Sequence, residues 1–293
     1  MTMSNDFTTF YLAPIDLPII LEPHEFYVSE AKRRLLTQFN DIDREAQEVE
    51  ERALEVFGHN FDPDRDDPAD AYEWAYQKNV SHWLALHEMH NTVTLALAAG
   101  MYHQFDKTLR EKMIREFSHW NDREFINQVI WNTSFPRLME LLEWVGIEIS
   151  DKDFMNKINA CRLVVNVYKH GDGDGHRELS TNYPEYYPRG SLMNSFAFPF
   201  QYDELKLNEV QFDEFSEAIR NFWKNIPEYC RYSQLRVKPS WFNHGDKKKD
   251  DERKVSAELL NIIKEEKKSG ANIKSIARRY GLSRAEVSRI ISD

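Results

Sequence analysis

Arg162, Asn166 and His170 follow one another at steps of four, and Lys169 stands beside His170. On a helix that spacing stacks the side chains in one narrow polar stripe. An imidazole titrates close to neutral pH and can take up or release a proton during a reaction. A guanidinium and an ammonium can stabilise charge on a phosphate in flight, and an amide can orient either the imidazole or a phosphate oxygen. The neighbours of this stripe are apolar: Ile158, Cys161, Val165 and Tyr168 on one side, Leu163, Val164 and Val167 on the other. A helix that is apolar round most of its circumference is a buried one. Burying a charged stripe is costly unless it is paired or faces a cleft. This helix is therefore expected either to carry a buried polar network or to line a site.

The elements that must position the stripe can be read from the rest of the chain. The Ser150-Asp151-Lys152-Asp153 cluster suits a helix start, and the glycines of Gly171-Asp172-Gly173-Asp174-Gly175 suit its end, which places the helix at about Asp153–His170. Upstream, residues 1–24 hold Pro14, Pro18 and Pro23 without a helical period and read as an extended lead-in. From about Phe26 to Phe57 the apolar residues Val28, Ala31, Leu35, Phe39, Ile42 and Val49 keep to one stripe. Asp62–Pro68 reads as a loop. A long helix follows, from Ala71 or Val80 to Phe117, with Leu97, Met101, Phe105, Leu109 and Met113 at steps of four; Gly100 within it would allow a close helix contact. Further helices are expected at about Pro136–Val145 and Val210–Ile226, with residues 176–206 as a loop rich in Tyr, Pro and Asn.

Composition narrows the class. The chain has 293 residues, 13% of them aromatic, with seven Trp, only ten Gly and eleven Pro, which argues for a packed, helical interior. No apolar run approaches the roughly 18 residues of a membrane span, and the N-terminus lacks the basic start of a secretory signal. Cys161 and Cys230 are too few for a disulfide framework. These features describe a cytoplasmic protein with two reduced thiols and no membrane partner. His87-Glu88-Met89-His90 lacks the i, i+4 His pair of a zinc helix, even with His82 and His103 nearby. Asp172-Gly173-Asp174-Gly175 opens like a calcium loop, but its twelfth position is Tyr183. No metal or cofactor is therefore expected. The aromatic run Tyr183, Tyr186, Tyr187, Phe196, Phe198 and Phe200 could stack bases or cover the bundle.

The net charge of −11 hides an asymmetry. Residues 246–293 hold 13 Lys and Arg against 9 Asp and Glu, while the remainder holds 25 against 40. An acidic body with a basic tail piece suggests two functional units: a helical domain at 1–242, a charged linker at 243–253 and a small domain at 254–293. In the tail, Ile273–Ile290 resembles a helix-turn-helix of the resolvase type, with Ala277 where two helices cross, Gly281 at the turn, and Val287 and Ile290 facing inward. A helix from Val255 to Lys267 would complete a tri-helical unit. The resemblance implies DNA binding. Ser283, Arg284, Ser288 and Arg289 would face the major groove, and Lys274, Arg278 and Arg279 would serve phosphates.

The Arg162–His170 helix, set after two long antiparallel helices, resembles the HEPN superfamily, small helical bundles that usually dimerise and include many metal-independent ribonucleases. Their signature is an Arg, often followed by a polar residue, then four to six residues and a His at the end of a core helix, one residue shorter than the spacing in this chain. Here seven residues separate Arg162 from His170, and Asn166-Val167-Tyr168-Lys169-His170 supplies an Asn-x-x-Lys-His variant. The resemblance covers roughly residues 26–227 and is specific around 162–170. It implies an all-α, HEPN-like antiparallel bundle, a homodimer, and an RNA-cleaving site made of Arg162, Asn166, Lys169 and His170. It also implies a toxin or phage-defence setting with a partner protein, and Asp106 sits where such families often place an acidic partner. The rival reading is a non-enzymatic dimeric DNA-binding regulator in which the stripe is a structural network.

Overall fold

The computed structural model describes residues 6–62, 64–189, 198–242, 257–280, 287–288 and 290–291. In chain order its elements are β1 (Thr8–Tyr11), α1 (Asp16–Arg34), α2 (Ile42–Asn60), α3 (Pro68–Phe117), α4 (Arg123–Asn132), α5 (Phe135–Trp144), α6 (Asp153–His170), α7 (Asp174–Asn182), α8 (Glu209–Lys224), β2 (Tyr229–Arg231), α9 (Ala257–Lys268) and α10 (Ile273–Tyr280). Helix makes up 73% of the structure and strand 3%, so the fold is all-α in class. The chain divides into two compact units, 1–239 and 240–293. The expected linker 243–253 lies outside the described residues. Among the described residues no helix is long and apolar enough to cross a membrane.

The first unit is organised on α3, 50 residues and about 75 Å long at 1.5 Å per residue. Asp67 caps it by accepting from the Ala69 N–H at 2.8 Å, and Pro68 takes a first-turn position that needs no donor. Leu97, Met101, Phe105, Leu109, Met113 and Phe117 form its buried edge, as their spacing requires. Gly100 lets α1 approach: the Tyr27 hydroxyl donates to the Leu97 carbonyl at 2.9 Å and fills the space that a Cβ at residue 100 would need. Helix α6 packs against α3, α7 and α8. Its apolar faces, Ile158, Ala160, Cys161, Leu163, Val164, Val165 and Val167, are all buried. Phe105 of α3 meets Phe222 of α8 edge-on at 5.1 Å, which closes the layer above them.

Several elements differ from the sequence expectation. Of the expected extended lead-in 1–24, the described residues are extended only before Asp16, with β1 at Thr8–Tyr11. Helix α1 begins at Asp16, because Pro18 falls within the first turn, where backbone N–H groups have no intrahelical partner, and Pro23 is accommodated at an exposed position. The stripe from Phe26 to Phe57 is not one helix. It is broken by a 3-10 turn at Leu36–Phe39, held by buried Leu36, and resumes at Ile42. The region 176–206 is not all loop. Helix α7 shows only two buried residues, His176 and Leu179, too few to register as a period. Residues 8–11 pair antiparallel with 229–231, joining the start of the unit to the stretch after α8.

At that junction Lys112 is buried and fully engaged. Its ammonium donates to the Tyr11 carbonyl, to Asp16 Oδ2 at 2.7 Å and to Glu116 Oε1 at 2.8 Å. A buried cation needs this degree of pairing to be tolerated.

The second unit has its own small core of Ile263, Ile276, Ala277 and Val287, against which Ile273, Tyr280, Ile290 and Ile291 pack. Gly270, at φ +91°, ends α9, and Asn272 Oδ1 accepts from the Lys274 N–H at 2.9 Å to open α10.

Candidate functional site

Helix α6 ends where its sequence says it should. The Gly171 N–H closes on the Val167 carbonyl at 2.8 Å, and Gly171 turns the chain away at φ +70°, a conformation that favours glycine. Lys169 and His170 occupy the last turn, where cations complement the helix dipole.

Helix α7 divides the polar stripe in two. Over its upper half, the Arg162 guanidinium donates from Nε to Asn159 Oδ1 at 2.9 Å and meets Glu178 Oε1 at 3.2 Å. Asn159 in turn donates to the Tyr183 hydroxyl at 3.4 Å. The Asn166 amide lies in the space that a Cβ on Gly175 would claim, so the absence of a side chain there lets α7 settle on the stripe. The lower half is open, with Lys169 and His170 both exposed. The four candidate residues therefore share one face, but Arg162 is engaged in an ion pair.

Beneath this face lies a second polar layer from α3. Burial pushes the Tyr102 phenol well above its ordinary range; Asp106 and Cys161 add to that, while Arg162 and Arg110 oppose it. Tyr102 thus sits within electrostatic reach of both Asp106 and Arg162. The bonds of Asp106 itself run to Arg110, at 2.7 and 3.2 Å, and Arg110 also donates to the Thr133 carbonyl at 3.0 Å. Burial also raises both thiols, Cys230 to about 11, so neither is a thiolate at neutral pH.

The segment after α7 is held by a clasp the sequence did not suggest. His176 is buried, with Nε2 3.0 Å from the Phe200 carbonyl and Nδ1 2.8 Å from the Tyr187 hydroxyl. The carbonyl can only accept, so Nε2 carries the proton and Nδ1 accepts from Tyr187. Burial, with a contribution from Glu204, pushes the Tyr187 phenol up to about 12 and keeps that donor in place. Arg189 stacks on the Phe200 ring at 4.2 Å, donates to the Phe198 and Pro199 carbonyls at 2.7 and 2.9 Å, and pairs with Glu204. That pairing, with the Gln201 N–H, holds the Glu204 carboxyl below the usual carboxylate range. Of the aromatic run, Tyr186 and Tyr187 are buried as cover, Phe198 is exposed, and Phe196 lies outside the described residues. A His eleven residues before a Tyr was the one available signal for this clasp, and neither residue type is distinctive alone.

Among the described residues no three His, Cys, Asp or Glu side chains converge as metal ligands. His87 packs on Trp83, and His90 stacks on Phe39 with Glu209 at 3.6 Å.

In the second unit, Lys274 and Ser288 are exposed, and Arg278 lies on α10. Arg279 is ion-paired with Glu266 at 2.5 Å, and the Tyr280 hydroxyl donates to the same carboxylate at 2.7 Å. Ser283, Arg284, Arg289 and the turn at Gly281 lie outside the described residues.

No known protein family, curated protein or solved structure matches the chain. The residues at the end of α6 therefore carry the functional argument.

Proposed function

We propose that this chain is a HEPN-like endoribonuclease that needs no metal, and that its reaction centre is the open end of α6. The observation that carries the reading is that His170 and Lys169 stand exposed on the last turn of a helix whose apolar faces are buried, in line with Asn166 and Arg162. In the reaction, His170 takes the proton from a ribose 2′-hydroxyl. The 2′-oxygen bonds to phosphorus, the P–O5′ bond breaks, and a protonated imidazole gives a proton to the leaving 5′-oxygen. Lys169 stabilises charge on the phosphate, and Arg162 joins it when its exchangeable pair with Glu178 opens. Two copies of the chain would bring two such helices together in a homodimer, so that one imidazole serves as base and the other as acid. The tail unit would bind DNA or position the complex. A toxin or phage-defence role with a partner protein follows from the HEPN resemblance.

The test is incubation of the purified chain with RNA in EDTA, followed by analysis of the ends. Products with 2′,3′-cyclic phosphate and 5′-hydroxyl termini are expected. RNA carrying 2′-O-methyl groups should resist. Cleavage of the methylated RNA, or cleavage only on addition of a divalent cation, would rule the mechanism out.

A second reading rests on the Arg162 contacts. Bonds to Asn159 and Glu178 are what a structural network would show, and they favour a non-enzymatic dimeric DNA-binding regulator. Under that reading the chain cleaves nothing, and replacing His170 changes only stability.

A further inference from the structure

We infer that the end of α6 takes its RNA single-stranded, with a base stacked on the exposed ring of Tyr202. The inference rests on the ribonuclease reading of the same site and names the form of its substrate. Tyr202 lies far from α6 in sequence, yet its Cε2 and Cδ2 atoms are 3.5 and 3.6 Å from the position a Gly171 Cβ would hold. Gly171 follows His170 directly, so the ring is fixed beside the imidazole's own backbone. Tyr202 nevertheless remains 49% exposed. A core tyrosine would be covered, whereas this one packs on the helix end and leaves about half of its surface to solvent. Tyr168, on the same last turn, is 38% exposed, and Phe198, on the same loop as Tyr202, is 64% exposed.

The support beneath Tyr202 is rigid. The 3-10 turn Tyr202–Glu204 is capped by the Gln201 N–H donating to Glu204 at 2.7 Å, and Glu204 is held in turn by Arg189. The Phe200 carbonyl two residues earlier is pinned by His176. A ring held by its own supporting contacts is pre-organised for binding.

Charge around the site is close to balanced. Lys169 and Arg177 share this stretch with Asp172, Asp174 and Asp203, all exposed, and Arg177 is itself paired with Asp174. Phosphate attraction alone cannot supply much affinity here, whereas base stacking can, and it requires an unpaired base. The chemistry points the same way, because a 2′-oxygen can line up with the leaving 5′-oxygen only when the nucleotide leaves the regular A-form stack.

The experiment measures binding, so that it does not depend on cleavage. The full chain carrying His170→Ala is titrated into a labelled unstructured RNA and into the same RNA as a duplex, followed by fluorescence anisotropy. Tyr202→Ala and Tyr202→Phe are then added to that background, with melting temperatures recorded. Tyr202→Ala should raise the dissociation constant for the single strand about fivefold or more and leave duplex binding unchanged, while Tyr202→Phe should bind as the parent does. Unchanged single-strand binding in Tyr202→Ala, an equal loss in Tyr202→Phe, or no RNA binding by the parent would overturn the inference. The two readings fail separately. RNA cleavage by the wild type with no effect of Tyr202 sinks the stacking site alone. Tyr202-dependent binding without cleavage by the wild type sinks the nuclease alone.

Discussion

Replacing Glu178 with Gln separates the two roles open to Arg162. In the structure Arg162 and Glu178 meet at 3.2 Å, with their side chains 21% and 43% exposed. In water, two unit charges at that distance attract by about 1.3 kcal/mol, and exposed pairs measured by mutation keep roughly 0.2–1 kcal/mol after desolvation and side-chain entropy. A loss of about 0.5 kcal/mol is therefore reasonable, equivalent to a fall of about 1–2 °C in melting temperature for a unit of this size. The Asn159 bond to Arg162 survives the change and keeps the guanidinium on its face. If Arg162 serves a phosphate, removing its competing carboxylate strengthens RNA binding by the same free energy, about twofold and at most about fivefold in KM, with kcat unchanged. Steady-state cleavage of a short RNA at low salt, alongside thermal melting, reads both quantities. A raised KM together with a melting temperature several degrees lower would refute the reasoning and show that the pair is structural.

Other perturbations follow from the fold. Lys112→Met removes the buried cation of Asp16 and Glu116, leaves them only the half-exposed Arg115 as a cationic partner, and should cost about 3 kcal/mol, lowering the melting temperature by about 6–12 °C in calorimetry. Arg189 holds the Glu204 carboxyl below its ordinary range, so the stabilisation is present above the unfolded carboxyl value and is lost as the pH falls through the folded one. The melting-temperature gap between wild type and Glu204→Gln should accordingly be widest near neutral pH and begin to narrow once the pH falls below the ordinary carboxyl value of about 4.3. Lys274→Ala should weaken binding to mixed-sequence duplex DNA and reduce the dependence of log affinity on log salt by about one, leaving RNA cleavage unchanged.

What could be read in the sequence was mostly local. Helix α6 declared its ends through Asp153, acidic in its first turn, and through Gly171 at its stop, although Lys152 stands at the N-cap and no side chain of the expected cluster caps the helix, and α3 declared itself through residues at steps of four that all reach one core. Pro18 and Pro23 misled, since a proline says what a backbone position lacks and not whether the lack matters there. The pairing of residues 8–11 with 229–231 has no local signal at all, as its partners are more than 200 residues apart. The same limit applies to the site. The stripe from Arg162 to His170 is a matter of helical spacing and was visible. Its division by α7 depends on Gly175 meeting Asn166 and Glu178 meeting Arg162, contacts that form only after the chain turns back. The clasp of His176, Tyr187, Arg189 and Glu204, and with it the placement of Tyr202 at Gly171, has the same origin.

The most direct measurement is RNA cleavage in EDTA by purified wild type and His170→Ala at equal concentration, with the melting temperature of each recorded. His170 is exposed, so the variant should melt within about 1 °C of wild type. Cleavage by wild type alone is the expected result. Full activity in a folded His170→Ala protein would contradict the assignment of the reaction to the end of α6.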